Sequence, residues 1–441
     1  MGEAVAYAIS TNPEVLEAVA NRSAIDFELR QARGLYLPQV DFEGSVGPGW
    51  RDGPGPDDRD DHTWLVRREV AVTVQQMVFD GFAADSEVER QASRVDAAAA
   101  RVLERGEFIG LNVAQAYLDV LRQAELRELA LANIRVHEQT LGDVRARSGA
   151  GRSSVADVQQ AEERLRAAEA TLVEIERAYE EARITYQRLV GMPAGQFSLP
   201  PPIDSALPAG IDRAVETALN ANPSLSLARA DIDTAYADFR AANANFWPTL
   251  DIEGRASYGV DVNGERGADA DLEALLVLRY NLYRGGIDTA NREEQIRHID
   301  EARQRLLRFE REVEELIRRA YNALEQSQRR LQLLREQAAV SEQVRNSYRD
   351  QFSIGQRTLL DLLDAENALF NTRVAVTESE YAVLFSKYQI VASTGQLLNA
   401  LGVAPHPGAA GIARSDAGVP PQPESETMDR DLTRTSPSLS R

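Results

Sequence analysis

The sequence has no cysteine, a single lysine (Lys387) and few histidines. The absence of cysteine excludes disulfide bonds, thiolate chemistry and cysteine-based zinc sites. Nearly all the positive charge of the 441-residue chain is therefore carried by arginine. The four histidines are too scattered to form a metal-binding motif: His62, His137, His298 and His406. We expect no metal site, no cofactor and no metal-dependent enzyme.

Two further absences concern membranes and nucleic acids. No run of about 18 apolar residues occurs, which excludes a transmembrane helix. No secretory signal peptide precedes the first helical segment, so the sequence leaves open a cytoplasmic protein or a chain whose numbering starts inside a processed one. The net charge of −20 disfavours nucleic-acid binding, because phosphate contacts need clustered positive charge.

The chain repeats itself. Residues 11–44 correspond to residues 221–254, with an Asn-Pro pair, a later Pro and an Asp-x-Glu-Gly motif at matching positions. Further on, the offset falls from 210 to 204, so that Tyr117 corresponds to Tyr321 and Gly151 to Gly355. A duplicated helix–strand–strand–helix unit explains this pattern, and it favours a pseudo-symmetric assembly over a single active site.

Periodicity predicts the elements of each repeat. The first repeat, 1–190, has a helix at 3–34, strands at 39–47 and 64–79, and long helices at 82–148 and 153–190. A Pro-rich linker follows at 191–210. The second repeat, 211–402, has a helix at 211–245, strands at 249–260 and 272–283, and long helices at 286–352 and 359–400. Residues 403–441 are predicted to be a disordered tail.

The long helices are predicted to pair as coiled coils. A helix of roughly 65 residues would be about 100 Å long, which is unusual in a globular protein. In the helix at 153–190, apolar residues recur at alternating steps of four and three from Ala161 to Leu189. This heptad seam predicts antiparallel packing of neighbouring helices.

The four strands alternate apolar and polar residues over about ten positions each, which is the length that a tilted strand needs to cross a bilayer. Four strands cannot close a pore, and lipid does not tolerate an open edge, so several chains would have to share one barrel. The alternative is a water-soluble hairpin packed on the helices, and alternation does not decide between the two. Polar loops join the strands at 47–63 and 260–271. The acidic run at 57–61 is interpreted as solvated charge rather than a calcium site.

The motifs between the long helices resemble those of the TolC-type outer-membrane channel family. The segment FSIGQRTLLDLLDAENALFNTR at 352–373 and its counterpart GAGRSSVADVQQAEERL at 149–165 are similar to the two helix–turn–helix tips of that family. MVFDGF and NLYRGG, each leading from a strand to a long helix, also fit. The resemblance covers about residues 3–400. The second tip is most similar to members that serve type I protein secretion, with drug-efflux members close.

The resemblance implies a mainly α fold with a β-barrel portion. Three chains would pool four strands each into a 12-stranded outer-membrane barrel, continued by a trimeric α-helical tunnel that extends into the periplasm. The family is not catalytic. Its members are homotrimers that contact outer-membrane lipid and dock through a periplasmic adaptor (membrane fusion) protein to an inner-membrane ABC transporter or another pump.

The resemblance places the pore constriction at the tips. Asp361 and Asp364 lie at i and i+3, on one face of a helix. A trimer would stack two rings of three carboxylates there, and such rings select for cations and bind polyvalent ones.

In the family, an Arg and a Tyr of the second repeat link the closed tip to the first repeat. The matching residues are Arg357 and Phe352, facing Ala156 and Asp157. Phe352 has no hydroxyl and Ala156 stands where some members offer one, so we expect fewer closing links here. Arg357 is still able to bond a backbone carbonyl or Asp157. A Phe352→Tyr variant is then expected to conduct less.

Helix capping is the alternative interpretation of the tip residues. Ser154 with Asp157, and Thr358 with Asp361, both match an N-terminal capping box, whereas Asp364 lies a turn too late for it. The turns are also the predicted adaptor-docking surface, 149–158 and 353–362, with these candidate residues: Gly151, Ser154, Gly355, Gln356, Thr358 and Leu359. Gly151 and Gly355 would supply the turns themselves.

The preferred function is the outer-membrane exit duct of a type I protein secretion system. The close alternative is the outer-membrane component of a multidrug efflux pump. A soluble coiled-coil scaffold is the alternative from another class, but it leaves the duplicated strands unexplained. No nucleophile–base pair supports an enzyme.

Overall fold

The computed structural model describes residues 1–51, 63–195, 197–262 and 266–419. The elements of the first half are α1 (Gly2–Thr11), α2 (Pro13–Gly34), β1 (Gln39–Arg51), β2 (Thr63–Phe79), α3 (Ala83–Gly149) and α4 (Val155–Val190). Those of the second half are α5 (Ile211–Ala221), α6 (Pro223–Ala244), β3 (Thr249–Val260), β4 (Ala268–Arg279), α7 (Ile287–Ser353) and α8 (Leu359–Ser393). Two short helices follow, α9 (Leu397–Ala400) and α10 (Ala413–Asp416).

The chain forms two compact units, and each contains segments from both halves of the sequence. One unit consists of residues 1–20, 99–226 and 307–410. The other consists of residues 21–98, 227–306 and the described residues from Gly411 onward. The two sequence repeats are therefore not separate compact units, and the division at the Pro-rich linker stays a prediction about the duplication.

The seam predicted for α4 is the face that this helix buries. Ala161, Leu165, Ala168, Tyr186 and Leu189 are buried, and the seam positions between them are half-buried. The step of alternately four and three residues keeps one face of a helix toward its partner. The heptad pattern thus predicts the packing of α4 correctly.

Two asparagines break the helices that were predicted to be continuous at 3–34 and 211–245. Asn12 and Asn222 have extended backbones because each precedes a proline. The Asn12 side chain donates a hydrogen bond to the Leu189 carbonyl at 2.9 Å, and that of Asn222 donates to the Ser393 carbonyl at 3.0 Å. Each Asn-Pro motif therefore ends one helix, starts the next and holds the end of a long helix.

The duplicated tyrosines fix the linker between the halves. The Tyr117 hydroxyl donates to the Ser198 carbonyl at 2.9 Å, and the Tyr321 hydroxyl donates to the Pro208 carbonyl at 2.9 Å. The corresponding tyrosine of each half thus holds a different position of the Pro-rich segment.

The four strands form one antiparallel sheet in the order β1-β2-β3-β4. β1 extends to Arg51, beyond the predicted end at 47, because Pro48 lies on an edge strand where its missing N–H is tolerated. β4 occupies 268–279 rather than 272–283, since Ala268 pairs with Val260 and the ladder runs from there. Residues 52–62, with the acidic run at 57–61, and residues 263–265 lie outside the described part of the chain.

The structure also differs from the sequence prediction at the C-terminal end. Gly395, with a φ of +73°, ends the helix predicted to reach residue 400. The buried Glu107 carboxylate then accepts hydrogen bonds from the N–H groups of Leu397 and Leu398 at 2.9 and 3.2 Å, and burial raises its pKa to about 7.

Residues 403–419, predicted to be disordered, are placed in the structure. Val403 is buried in the apolar core of the first unit. In the second unit, the Asp96 carboxylate accepts hydrogen bonds from the N–H groups of Ala413 and Arg414, and Arg414 forms an ion pair with Asp233. The prediction of disorder rested on the Pro and Gly content of this segment, which does not reveal these contacts. Residues 420–441 lie outside the described part.

Candidate functional site: two helical tips and an amphipathic sheet

The first tip joins α3 to α4. Gly151 makes the turn with a φ of +72°. The Ser154 Oγ accepts a hydrogen bond from the Asp157 N–H at 3.1 Å, and the Asp157 carboxylate accepts one from the Ser154 N–H at 2.8 Å. The Ser153 hydroxyl donates to the same carboxylate at 2.7 Å. These bonds, chiefly the one from the Ser154 N–H, lower the pKa of Asp157.

The second tip joins α7 to α8 in the same way. Gly355 has a φ of +77°. The Thr358 hydroxyl accepts a hydrogen bond from the Asp361 N–H at 3.2 Å and donates one to the Asp361 carboxylate at 2.8 Å. The hydrogen bond from this hydroxyl is the main cause that lowers the pKa of Asp361. Both capping boxes are thus confirmed.

An apolar cluster joins the two helical hairpins just behind their tips. Its members come from α3, α4 and α8: Leu141, Val144, Ala161, Leu165, Leu359 and Leu363. Phe352, at the end of α7, packs against this cluster. The hairpins are therefore held together by burial as well as by polar contacts.

Arg147, near the end of α3, links the first hairpin to the second. Its guanidinium donates to the Phe352 carbonyl at 2.8 Å and to the Ser353 carbonyl at 3.1 Å. It also lies over the Phe352 ring, 4.4 Å from the centroid. A cation is well placed there, because the last carbonyls of a helix lack partners and carry partial negative charge. Arg147 belongs to no motif, so the sequence alone did not single it out.

The predicted link from Arg357 to Asp157 is not formed within the chain. Arg357 contacts its own hairpin: its Nε donates to the Gln351 side chain at 2.9 Å, and its guanidinium lies 4.1 Å from the Tyr348 ring centroid and 3.8 Å from the Asp361 carboxylate. Among the described residues, the Asp157 carboxylate has only its capping partners. Phe352 does contact the first hairpin, through Arg147 and through the apolar cluster.

Asp364 makes a second link between the hairpins. The Arg164 guanidinium of α4 donates to the Asp364 carboxylate at 3.3 Å, and both side chains are partly exposed. In the described part of the chain, Asp361 has no such partner on the first hairpin, and its contacts are with Thr358 and Arg357 of its own hairpin. The two carboxylates of the predicted gate therefore differ: one caps a helix and the other pairs across the hairpins.

The residues predicted for adaptor docking are mostly at the surface. Gly151, Ser154, Gly355, Gln356 and Thr358 are exposed. Leu359 is buried in the apolar cluster, so its side chain is not part of that surface.

Exposed apolar side chains that the sequence analysis did not single out lie beside these residues. They are Val155, Ile354 and Leu360. The surface of the two tips therefore combines backbone turns with apolar side chains.

The sheet has one apolar and one polar face. The register brings together even-numbered residues on one face, among them Val46, Phe42, Val72, Tyr258 and Leu276. These side chains are exposed rather than packed on a core, with Val46 at 76% and Leu272 at 86%.

The other face of the sheet carries interleaved charges. Arg255 pairs with Glu69 at 3.2 Å, and Arg279 pairs with Asp251 at 2.9 Å. Asp41 and Glu43 fall on this face by register. The sheet therefore separates an apolar surface from a charged one.

Metal-binding clusters and membrane-spanning helices are both missing from the described residues. No group of three or more His, Asp or Glu side chains there is arranged to hold a metal ion. No helix in the same ranges is both long and apolar enough to cross a membrane.

Long paired helices with two turns at their ends, together with a small antiparallel sheet, are the fold of an outer-membrane channel. The crystal structure of VceC from Vibrio cholerae has this fold, with a TM-score of 0.74 and 17% identity over 92% of this chain and 96% of that one.

The family model "Outer membrane efflux protein" matches residues 5–192 and 214–396, and the chain belongs to this family. The relatives include the outer membrane efflux protein BepC of Brucella suis, 24% identical over 372 residues, which are 83% of this chain and 78% of BepC. They also include TolC of Escherichia coli, 23% identical over 413 residues, with 88% of this chain and 80% of TolC covered.

The family resemblance and the fold class predicted from the sequence are thereby confirmed. The protein is an outer-membrane efflux channel of the TolC type and not an enzyme.

Proposed function

We propose that the channel is the exit duct of a tripartite export system and that three copies of the chain form it. In each copy the four strands would contribute to one 12-stranded barrel, and the long helices to one tunnel. A periplasmic adaptor and an inner-membrane transporter would deliver the substrate.

The exposed apolar face of the sheet is the observation that carries this proposal. On this face Leu272, Val46 and Phe42 are largely exposed. Such a surface is unfavourable in water, where it promotes aggregation, but it is favourable in contact with lipid. The strands of 12 to 17 residues are long enough to cross a bilayer.

The edge strands β1 and β4 have no partner on their outer sides within the four-stranded sheet of the described chain. Since lipid does not tolerate unpaired strand edges, further copies of the chain are needed to pair them.

We further propose that the tips form the gate, with Asp361 and Asp364 at the pore. Both lie on one face of α8 at its exposed start. Arg147, Arg164 and the apolar cluster would keep the two hairpins of each copy together in the closed state. Asp157, Phe352 and Arg357 remain candidates for contacts at the constriction, including contacts between copies.

Single-channel recording in a planar bilayer tests both proposals. We expect the purified protein to give small, steady, cation-selective openings that a trivalent cation on the tip side blocks. The Asp361→Ala/Asp364→Ala variant is expected to lose the block while still inserting. Failure of a folded sample to insert would contradict the duct, and block that persists in the variant would contradict the gate.

For the pathway, we propose type I protein secretion. The amino-acid sequence of the second tip favours this pathway. The relatives also include the alkaline protease secretion protein AprF of Pseudomonas aeruginosa, 22% identical over 392 residues. Small-molecule export is the second candidate, because the pyoverdine export protein OpmQ of the same species is 25% identical over 318 residues.

Complementation separates the two pathways. The chain would be expressed in a strain that lacks its own outer-membrane duct but retains both a protein secretion transporter and a drug pump. Restored protein secretion without restored drug resistance would support the proposal. Restored resistance without secretion would favour small-molecule efflux instead.

A further inference from the structure

A buried carboxylate lies behind the second tip and contacts both hairpins. Glu366, five residues after Asp361 in α8, is 3% exposed. One of its oxygens accepts a hydrogen bond from Arg349 of α7 at 3.1 Å. The other accepts one from the Thr140 hydroxyl of α3 at 3.5 Å. The carboxylate therefore connects a helix of the first hairpin with both helices of the second.

His137 lies beside this carboxylate with an unused ring nitrogen. It is 4% exposed, and its Nδ1 lies 3.9 Å from Glu366 Oε2 with no hydrogen-bond partner among the described residues. Burial and the nearby Arg164 cation lower the pKa of His137, which favours the neutral ring in this arrangement. A buried, unpartnered nitrogen in a native structure calls for an explanation.

The charges around the Glu366 carboxylate, which lies next to His137, are already paired or positive. From α7, Arg349 takes up the charge of Glu366, and Arg345 pairs with Glu342 at 3.8 Å. From α8, Arg373 also contacts Glu342, at 3.0 Å. From α4, Arg164 faces the ring and pairs with Asp364. A proton on His137 would add a cation to a site with no spare anion.

Stability alone does not account for this arrangement. A buried ion pair is generally no more stabilising than well-packed apolar residues of the same volume. The position is more informative, because Thr140 and Glu366 belong to hairpins that would have to separate when the tip opens. Arg349 and Glu366 belong to the same hairpin and can stay together.

We propose that Glu366 is a positioning residue of the gate, which holds the start of α8 against α3 in the closed tip, and that His137 makes its release proton-dependent. This inference rests on the gate proposed above. Opening would break the contact between Glu366 and Thr140 and expose His137 to water.

The direction of the proton effect follows from linkage. The pKa of His137 is below its ordinary value of 6.5 in the closed arrangement and returns toward it on exposure, so protons bind the open tip better and acid favours opening. Burial raises the pKa of Glu366, which acts in the opposite direction at lower pH. Replacing His137 separates the two effects.

The test compares three variants by single-channel recording at about pH 7.5 and about pH 5.5, on either side of the ordinary histidine pKa. Glu366→Gln is expected to raise the open fraction at neutral pH roughly tenfold, as for the loss of one charged buried contact. His137→Gln is expected to remove most of the increase in opening that acid causes in the unmodified chain.

Glu380→Gln is the matched control. Glu380 is in the same helix and pairs with Arg335 of α7 at 2.6 Å, but this pair is exposed and bridges no hairpins. We expect Glu380→Gln to behave like the unmodified chain, and all variants are first checked for folding by circular dichroism.

Two results would overturn the inference: equal open fractions for Glu366→Gln and Glu380→Gln, or an unchanged acid response in His137→Gln. Recording Asp361→Ala/Asp364→Ala in the same series shows where a failure lies. If that variant loses the trivalent block while Glu366→Gln has no effect, the gate stands and this inference fails. If neither has any effect, both fail.

Discussion

The two tips have the same turn and the same cap, but they use their arginines differently. Arg147 of the first hairpin reaches across to the carbonyls of Phe352 and Ser353. Arg357 of the second hairpin instead contacts Gln351 and the Tyr348 ring of its own hairpin. The link between hairpins therefore starts from the first hairpin, whereas the family resemblance led us to expect it from the second.

This difference shows that a cap and a link are separate properties of a tip. The capping boxes depend on residues three positions apart, so duplication preserves both of them. The link depends on which helix end presents free carbonyls to a neighbouring guanidinium, and that is decided by packing between the hairpins.

The largest expected effect on the open fraction comes from replacing Arg147 by alanine, compared with the same replacement of Arg357. Arg147→Ala removes two charged hydrogen bonds and a cation–π contact, worth about 1–2 kcal/mol for a half-buried group. We expect roughly a tenfold higher open fraction in single-channel recordings. Arg357→Ala is expected to change it little, and Arg145→Ala, an exposed neighbour on α3, serves as control. Equal effects of Arg147→Ala and Arg357→Ala would remove the contrast between the tips.

A smaller effect is expected from Arg164→Ala. The pair with Asp364 is partly exposed, so its contribution is below about 1 kcal/mol. We expect about a two- to fivefold rise in the open fraction at low salt that fades near 1 M salt, where charges are screened within a few ångströms. Opening that is insensitive to salt would show that this pair does not hold the hairpins together.

The caps are expected to act locally and equally. Ser154→Ala and Thr358→Ala each remove the hydroxyl of a capping box, at about 1 kcal/mol of local helix stability. Hydrogen exchange should accelerate in the first turn of α4 or α8, respectively, with little change in conductance. A large conductance change from either variant would mean that cap and link are not separable.

The smallest effect is expected from protonation of the two capping carboxylates, Asp157 and Asp361. The pKa values of Asp157 and Asp361 are both lowered by their capping hydrogen bonds. The contribution of each cap is therefore complete above the ordinary aspartate pKa and is lost as the pH falls through the lowered value. Carboxylate NMR titration should show both groups titrating below pH 3.8, the ordinary value. A normal titration of either would contradict its capped state.

Local signals predicted much of the fold. The heptad steps located the buried face of α4, and the Ser and Thr caps marked the starts of α4 and α8. The Asn-Pro motifs were recognised as a repeat but not as helix breaks, although the proline restricts the preceding residue. At the C-terminal end, the prediction of disorder followed the Pro and Gly content and overlooked the few residues that anchor 403–419.

The missed site residues have no local signal. Arg147 is one arginine among many on a charged helix, and its partners are backbone carbonyls some 200 residues away in the sequence. In the sequence, Glu366 looks like an ordinary polar position of a helix, and only its contact with Thr140 of α3 in the folded chain distinguishes it. Such contacts between distant segments depend on tertiary packing, which periodicity does not encode.

One measurement tests the central claim that the contact between Arg147 and the end of α7 keeps the tip closed. Since the chain has no cysteine, an Arg147→Cys/Ser353→Cys variant carries the only two thiols. It would be recorded in a planar bilayer before and after reaction with a short thiol cross-linker that reductant cleaves, with each single cysteine variant as control. We predict that the variant opens more than the unmodified chain, closes on cross-linking and reopens on reduction. Cross-linked channels that open as freely as those without the cross-link would contradict the account.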